Sequence, residues 1–202
     1  MVCRFTAQEL HTLITVLELP DPLLTLGGYC AISLESLALL CAHLWSPDTQ
    51  WALVNKYACL QSAISEIISE TAMFINKHWG SFLDWDAVGL VHPQRLQEYA
   101  DALQEFGAPC NTVIGFINCT IQPMCCLGVY QDLVYTRYKK CHSMKYQAIV
   151  VPNGLIAHLS CPFCAPQNDH GVLNKSNLLS HLESHAIQPG SQQNDPPECC
   201  YF

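Results

Sequence analysis

The chain has 202 residues, half of them hydrophobic, and a formal net charge of −8, so a packed core is expected rather than disorder, with room for one full domain or two small ones. No apolar run approaches the ~18–20 residues of a membrane span, and the start, Met1-Val2-Cys3-Arg4-Phe5, lacks the basic and apolar regions of a secretory signal. An acidic balance argues against a dedicated nucleic-acid binder, because phosphate neutralisation supplies most of that affinity.

The first helix is expected over residues 5–19, where Leu10, Leu13, Ile14 and Leu17 form a helical stripe behind Thr6 as cap. Pro20-Asp21-Pro22 ends it. Ser33 then caps a helix over 34–44, with Leu34, Leu37, Ala38, Cys41 and Leu44 on one face. Ser46-Pro47-Asp48 reads as a loop. Short and long helices follow at 51–57 and 63–78, the second carrying Ile64, Ile67, Ile68, Met73 and Ile75. That pair can be read as a helix-turn-helix or as part of a plain bundle. Ser65, Glu66, Ser69 and Glu70 make its polar face acidic, which repels phosphate and favours the bundle. His92-Pro93 opens a helix over 94–106 that Gly107 stops.

The rest of the chain is built around 113–169. Val113-Ile114-Gly115-Phe116-Ile117 reads as a buried strand that ends on the polar step Asn118-Cys119-Thr120. Arg137, Lys139, Lys140 and Lys145 are four of the nine basic residues, gathered within nine positions. Read as one strand, this segment sets Arg137, Lys139 and Lys145 on one face, and Lys140 and His142 on the other. A lysine-protected edge strand is its bland meaning and a DNA-backbone contact its functional one. Ala148-Ile149-Val150-Val151 and Leu155-Ile156-Ala157-His158-Leu159 flank Pro152-Asn153-Gly154, a strong hairpin signal. Gln167-Asn168-Asp169 follows, then a helical run over 173–182.

In these pieces and their order the sequence resembles the endonuclease domain of PIF/Harbinger-type DDE transposases and the nucleases domesticated from them. The resemblance runs through Gly115-Phe116-Ile117-Asn118-Cys119-Thr120, where the family has a strand ending in Asp-Gly-Thr. It continues through Tyr138 to Gln147, through Val151-Pro152-Asn153-Gly154-Leu155-Ile156, and through Asn168-Asp169 with Ser176-Asn177-Leu178-Leu179. It implies metal-dependent hydrolysis of DNA phosphodiesters with Mg²⁺ or Mn²⁺, chemistry that needs several carboxylates because hard cations want oxygen ligands. It also implies DNA as partner, a DNA-binding partner protein and a nuclear location, with the cytoplasm as alternative. The catalytic and metal-holding positions carried over are Asn118, at the family's first Asp, and Asp169. Arg137, Lys139, Lys140 and Lys145 are the expected DNA contacts.

Two departures predict an inactive copy. Asn118 is neutral where a metal needs charge compensation, and the family's later acidic residues find no counterpart before Phe202. The expected architecture is α+β: a helical region over 1–108, a truncated RNase H-like mixed β-sheet domain over 109–187, and a disordered tail over 188–202. A non-catalytic DNA- or protein-binding remnant is the alternative from another class.

A third reading is a Cys₂His₂ zinc module made of Cys161, Cys164, His181 and His185. Its interval of sixteen residues exceeds the usual ~12–15, and no aromatic stands where a finger core needs one. Thirteen scattered cysteines, an odd number without an export signal, predict reduced thiols rather than a disulfide framework. The adjacent pairs Cys125-Cys126 and Cys199-Cys200 cannot easily chelate one metal together and are expected to carry no chemistry. Cys141-His142 is a poor catalytic couple, since successive strand residues point to opposite faces.

Overall fold

The computed structural model describes residues 5–45, 49–85, 89–160 and 162–187. The expected loop at 46–48 and the tail over 188–202 therefore lie outside the described residues. Two compact units divide the chain, Met1–Gly80 and Ser81–Phe202.

The first unit is mainly helical. Helix α1 (Ala7–Leu17) begins in a capping box: Thr6 Oγ1 accepts from Glu9 N–H, and the Glu9 carboxylate accepts from Thr6 N–H at 2.7 Å. These bonds hold the Glu9 carboxyl below its ordinary range. A two-stranded ribbon, β1 (Leu23–Leu24) with β2 (Cys30–Ala31), follows and was not among the expected elements. Helices α2 (Ser33–Trp45), α3 (Gln50–Tyr57) and α4 (Gln61–Trp79) then bury Leu39, Leu40, Leu53, Ile64, Ile67 and Ile68 in one cluster. Leu44 and Met73, expected on the apolar faces, are exposed instead. Glu66 does not serve as part of a solvated acidic face. Its carboxylate accepts from Thr25 Oγ1 (2.8 Å) and Gly27 N–H (2.9 Å), which ties the ribbon's loop to α4.

The second unit is α+β. Helix α5 (Pro93–Glu105) starts with Pro93 at its first position and the His92 ring accepting from Gln94 N–H. The expected domain limits placed this helix with the N-terminal helices. It packs instead through Leu96, Tyr99 and Ala100 against Ile149, Val151 and Ala157 of the sheet, so the sheet-bearing unit opens well before residue 109.

The sheet is organised on one long strand, β5 (Cys141–Val150). Strand β3 (Phe116–Pro123) runs antiparallel along one side of it, from Phe116 opposite Val150 to Pro123 opposite Ser143. Along its other side lie β4 (Tyr135–Thr136), β6 (Ile156–Leu159) and β7 (Phe163–Cys164), all antiparallel. A mixed sheet was expected; among the described residues every pairing is antiparallel. The short helix α6 (Gln131–Val134) precedes β4.

Three local expectations change. The strand expected from Val113 starts at Phe116, and the backbone before it runs so close to β5 that a Cβ at Gly115 would stand 2.7 Å from Val150 O. Asn118, Cys119 and Thr120 lie inside β3 rather than ending it. Among the described residues β3 pairs only with β5 and is mostly exposed, so polar side chains can continue it. The basic segment is not one strand. Thr136 ends β4, Arg137 to Lys140 form an exposed hairpin tip with Lys140 at φ +53°, and Cys141 begins β5.

The Pro152-Asn153-Gly154 turn joins β5 to β6 as its residues suggest, with Gly154 at φ +81°. The run expected as one helix over 173–182 is two, α7 (Asp169–Lys175) and α8 (Leu178–His185), broken where Asn177 turns left-handed. Among the described residues no helix is long and apolar enough to cross a membrane.

Candidate functional site

The alternation of β5 sets Ser143, Lys145, Gln147 and Ile149 toward the interior, all buried, with their neighbours less so. Ile149 joins the core, but the three polar residues must find partners there. Ser143 Oγ finds none among the described residues, and neither does Gln147 Oε1. Lys145 finds two. Its ammonium donates to Asp169 Oδ1 at 2.7 Å and to the Gln167 carbonyl at 2.7 Å.

The loop before α7 is shaped to present that carboxylate. Asn168 caps α7 by accepting from Gly171 N–H (2.7 Å), and Gln167 Nε2 donates to Gly171 O (3.1 Å). Asp169 thus stands in the first turn of the helix, where a negative charge is favoured.

Ile117, Asn118, Cys119, Gln147, Asp169, His170 and Leu173 line one depression of about 250 Å³. The two positions carried over from the transposase resemblance, Asn118 and Asp169, therefore meet at a single site although fifty-one positions apart in sequence. Asn118 is exposed, and its Oδ1 accepts from the N–H of Cys119 at 2.8 Å. The register sets Cys119 opposite Gln147, whose Nε2 stands 4.0 Å from the thiol sulfur. Burial, and then the Asp169 charge, push the Cys119 thiol above its ordinary range, so it is held neutral.

The four basic residues do not form one patch. Arg137, Lys139 and Lys140 are exposed at the hairpin tip, with the Lys139 ammonium 4.9 Å from the Tyr138 ring centre. Lys145 is buried and paired with Asp169, which lines the depression. Sequence reasoning missed this role, and it also missed Cys119 and Gln147. The signal available was the even spacing of Ser143, Lys145 and Gln147 with Ile149, which places three polar residues on the buried parity of one strand.

The residues present do not suit a hard divalent cation. Such ions want several anionic oxygens. Here one carboxylate is already paired with an ammonium, the asparagine oxygen is committed to a backbone N–H, and the remaining sulfur is a neutral thiol. For the zinc reading, Cys161 lies outside the described residues. Cys164 is exposed in β7, and the His181 and His185 rings stack with centres 5.8 Å apart on α8. Among the described residues no three His, Cys, Asp or Glu side chains converge as a metal site.

Residues 118–194 match the family model of DDE superfamily endonucleases, so this segment is similar to transposase-type endonucleases. The matched stretch opens on Asn118 and contains Lys145 and Asp169. No curated protein and no solved structure matches the chain.

Proposed function

We propose that the sheet-bearing unit has an RNase H-like fold of the PIF/Harbinger transposase type, kept as a DNA-contacting protein that does not cut. The observation that carries this reading is the 2.7 Å pair between Lys145 and Asp169. In a nuclease of this superfamily the acidic position serves a divalent ion; here an internal ammonium neutralises it, and Asn118 adds no charge. Lysine brings one positive charge fixed by the fold, whereas two-metal chemistry needs cations that reach both the attacking and the leaving oxygen.

What the unit retains for DNA is the hairpin tip. Arg137, Lys139 and Lys140 are exposed there and close enough in sequence to follow one phosphate backbone. Phosphate contacts of this kind are indifferent to sequence and act through counterion release. A protein of this description works in the nucleus, alone or beside a sequence-reading partner.

The test is the purified chain with supercoiled DNA and Mn²⁺ or Mg²⁺. The expected result is salt-sensitive binding without nicking. Cleavage that EDTA and Asp169→Ala both abolish would overturn the inactive half of the reading. Absence of binding at low salt would overturn the DNA half.

A further inference from the structure

After β3 the chain turns back along the sheet, and Met124 N–H donates to the His142 carbonyl at 2.9 Å. That bond brings the following segment beside β5 and leaves Cys126 Sγ 3.2 Å from His142 Nδ1. The imidazole is set in turn by Tyr135, its cross-strand neighbour, whose ring meets it edge-on with centres 5.3 Å apart. A solvent-open thiol, a base within hydrogen-bond reach and a third group orienting the base are what an activated sulfur nucleophile requires. Cys141, the sequence neighbour of His142, is kept off its face by the strand's alternation, as expected; the fold supplies Cys126 instead.

His142 also lines a cavity of about 440 Å³ with Gln131, Asp132, Tyr135 and Arg137. Its walls thus carry one guanidinium, one carboxylate and an amide. Opposite charges at close quarters fit a molecule that itself bears both a carboxylate and an ammonium group, and the volume is that of a small-ligand site. None of these residues takes part in the Asn118–Asp169 depression.

We propose that Cys126 and His142 form a thiol–imidazole pair that exchanges with small amino-acid-derived disulfides held in this cavity. In the step, Cys126 Sγ attacks one sulfur of the disulfide while His142 Nδ1 takes the thiol proton. A new S–S bond forms to Cys126 and the ligand's own S–S bond breaks. The departing thiolate takes the proton back from the imidazolium, so one disulfide and one thiol give one mixed disulfide and one thiol. The incoming disulfide is the oxidant. Arg137 holds the ligand's carboxylate and Asp132 its ammonium.

The experiment uses the reduced full chain, without DNA, treated with glutathione disulfide at neutral pH and followed by peptide mass spectrometry. Cys30 and Cys110, also exposed, are the internal comparators. Cys126 is expected to be modified about tenfold faster than either, and His142→Asn to remove about that factor. Arg137→Ala is expected to slow the reaction with glutathione disulfide but not with uncharged hydroxyethyl disulfide. In Cys126→Ser, which leaves His142 and the fold in place, the neighbouring Cys125 is expected to stay at the comparators' pace. Equal rates at Cys126, Cys30 and Cys110 would overturn the proposal. So would an advantage that survives His142→Asn, or one that passes to Cys125 in the serine variant. An Arg137→Ala effect that is absent, or equal for both disulfides, would overturn the cavity's part in it.

Discussion

Lys145 and Asp169 meet at 2.7 Å from positions 24 residues apart, and they are unequally wet: the lysine side chain is 8% exposed and the aspartate 71%. That asymmetry decides which partner the fold depends on. Asp169→Asn keeps an acceptor oxygen but removes the counter-charge of a buried ammonium, and should cost about 1–3 kcal/mol. Lys145→Met replaces a buried charge with an apolar chain of similar length and frees an aspartate that water already reaches, so it should change stability by less than about 1 kcal/mol. Urea unfolding of both variants measures this, and equal losses would show that the pair is not seated as described.

The same burial keeps the Lys145 side chain from the surface, so the DNA contact proposed above falls to the hairpin tip. Arg137, Lys139 and Lys140 changed together to Gln should lower the magnitude of the salt slope by up to about 2.7, at about 0.9 for each phosphate contact on duplex DNA. Lys145→Gln should leave that slope unchanged. Binding titrations across a series of salt concentrations separate the two variants. A fall in slope with Lys145→Gln would return this lysine to the DNA face.

How much of this was legible in the sequence follows from which interactions are local. The Thr6 cap, the His92-Pro93 helix start and the Pro152-Asn153-Gly154 turn are each decided within a few residues, and each stands where its residues put it. The resemblance placed Asn118 and Asp169 together, and both line the same depression. Failures came where distant chain decides. The Val150 carbonyl leaves no room for a Cβ at residue 115, and nothing near Gly115 in sequence announces that close approach. The hairpin tip hid inside a basic run because Lys140 adopts a left-handed conformation that lysine seldom signals. Lys145 was grouped with its charged neighbours, although its parity within β5 placed it with Ser143 and Gln147.

Gly115 offers a direct check on the approach of β3 to β5. An alanine Cβ would press on the Val150 carbonyl oxygen, a backbone atom that cannot rotate away, at the point where the two strands begin to pair. Gly115→Ala should therefore destabilise the sheet-bearing unit by about 1–3 kcal/mol. Gly128→Ala is the control: a Cβ there meets nothing within 4 Å, and the change should stay within about 0.5 kcal/mol. Thermal or urea melts of the two single variants suffice.

His158 makes the sheet-bearing unit sensitive to acid. Its side chain is buried in β6, its Nδ1 has no partner among the described residues, and the Trp85 ring centre stands 6.4 Å from it and 6.3 Å from that of His185. Burial lowers the imidazole's affinity for a proton, the charge of His181 lowers it further, and Asp84 works in the opposite sense. The folded state thus favours neutral His158, while the unfolded chain takes up a proton at the ordinary histidine value near 6.5. Stability contributed by this group is fully present above that value. It is lost as pH falls from about 6.5 toward the depressed folded value, at no more than about 1.4 kcal/mol per pH unit, and levels off below it. Urea midpoints at pH 7.5, 6.5 and 5.5, with hydrogen exchange of the β5 amides to assign the transition to this unit, should fall with acidification. His158→Phe cannot titrate and should flatten the part of that decline owed to residue 158. A decline as steep in the variant as in the parent would show that His158 is not the source of the acid sensitivity.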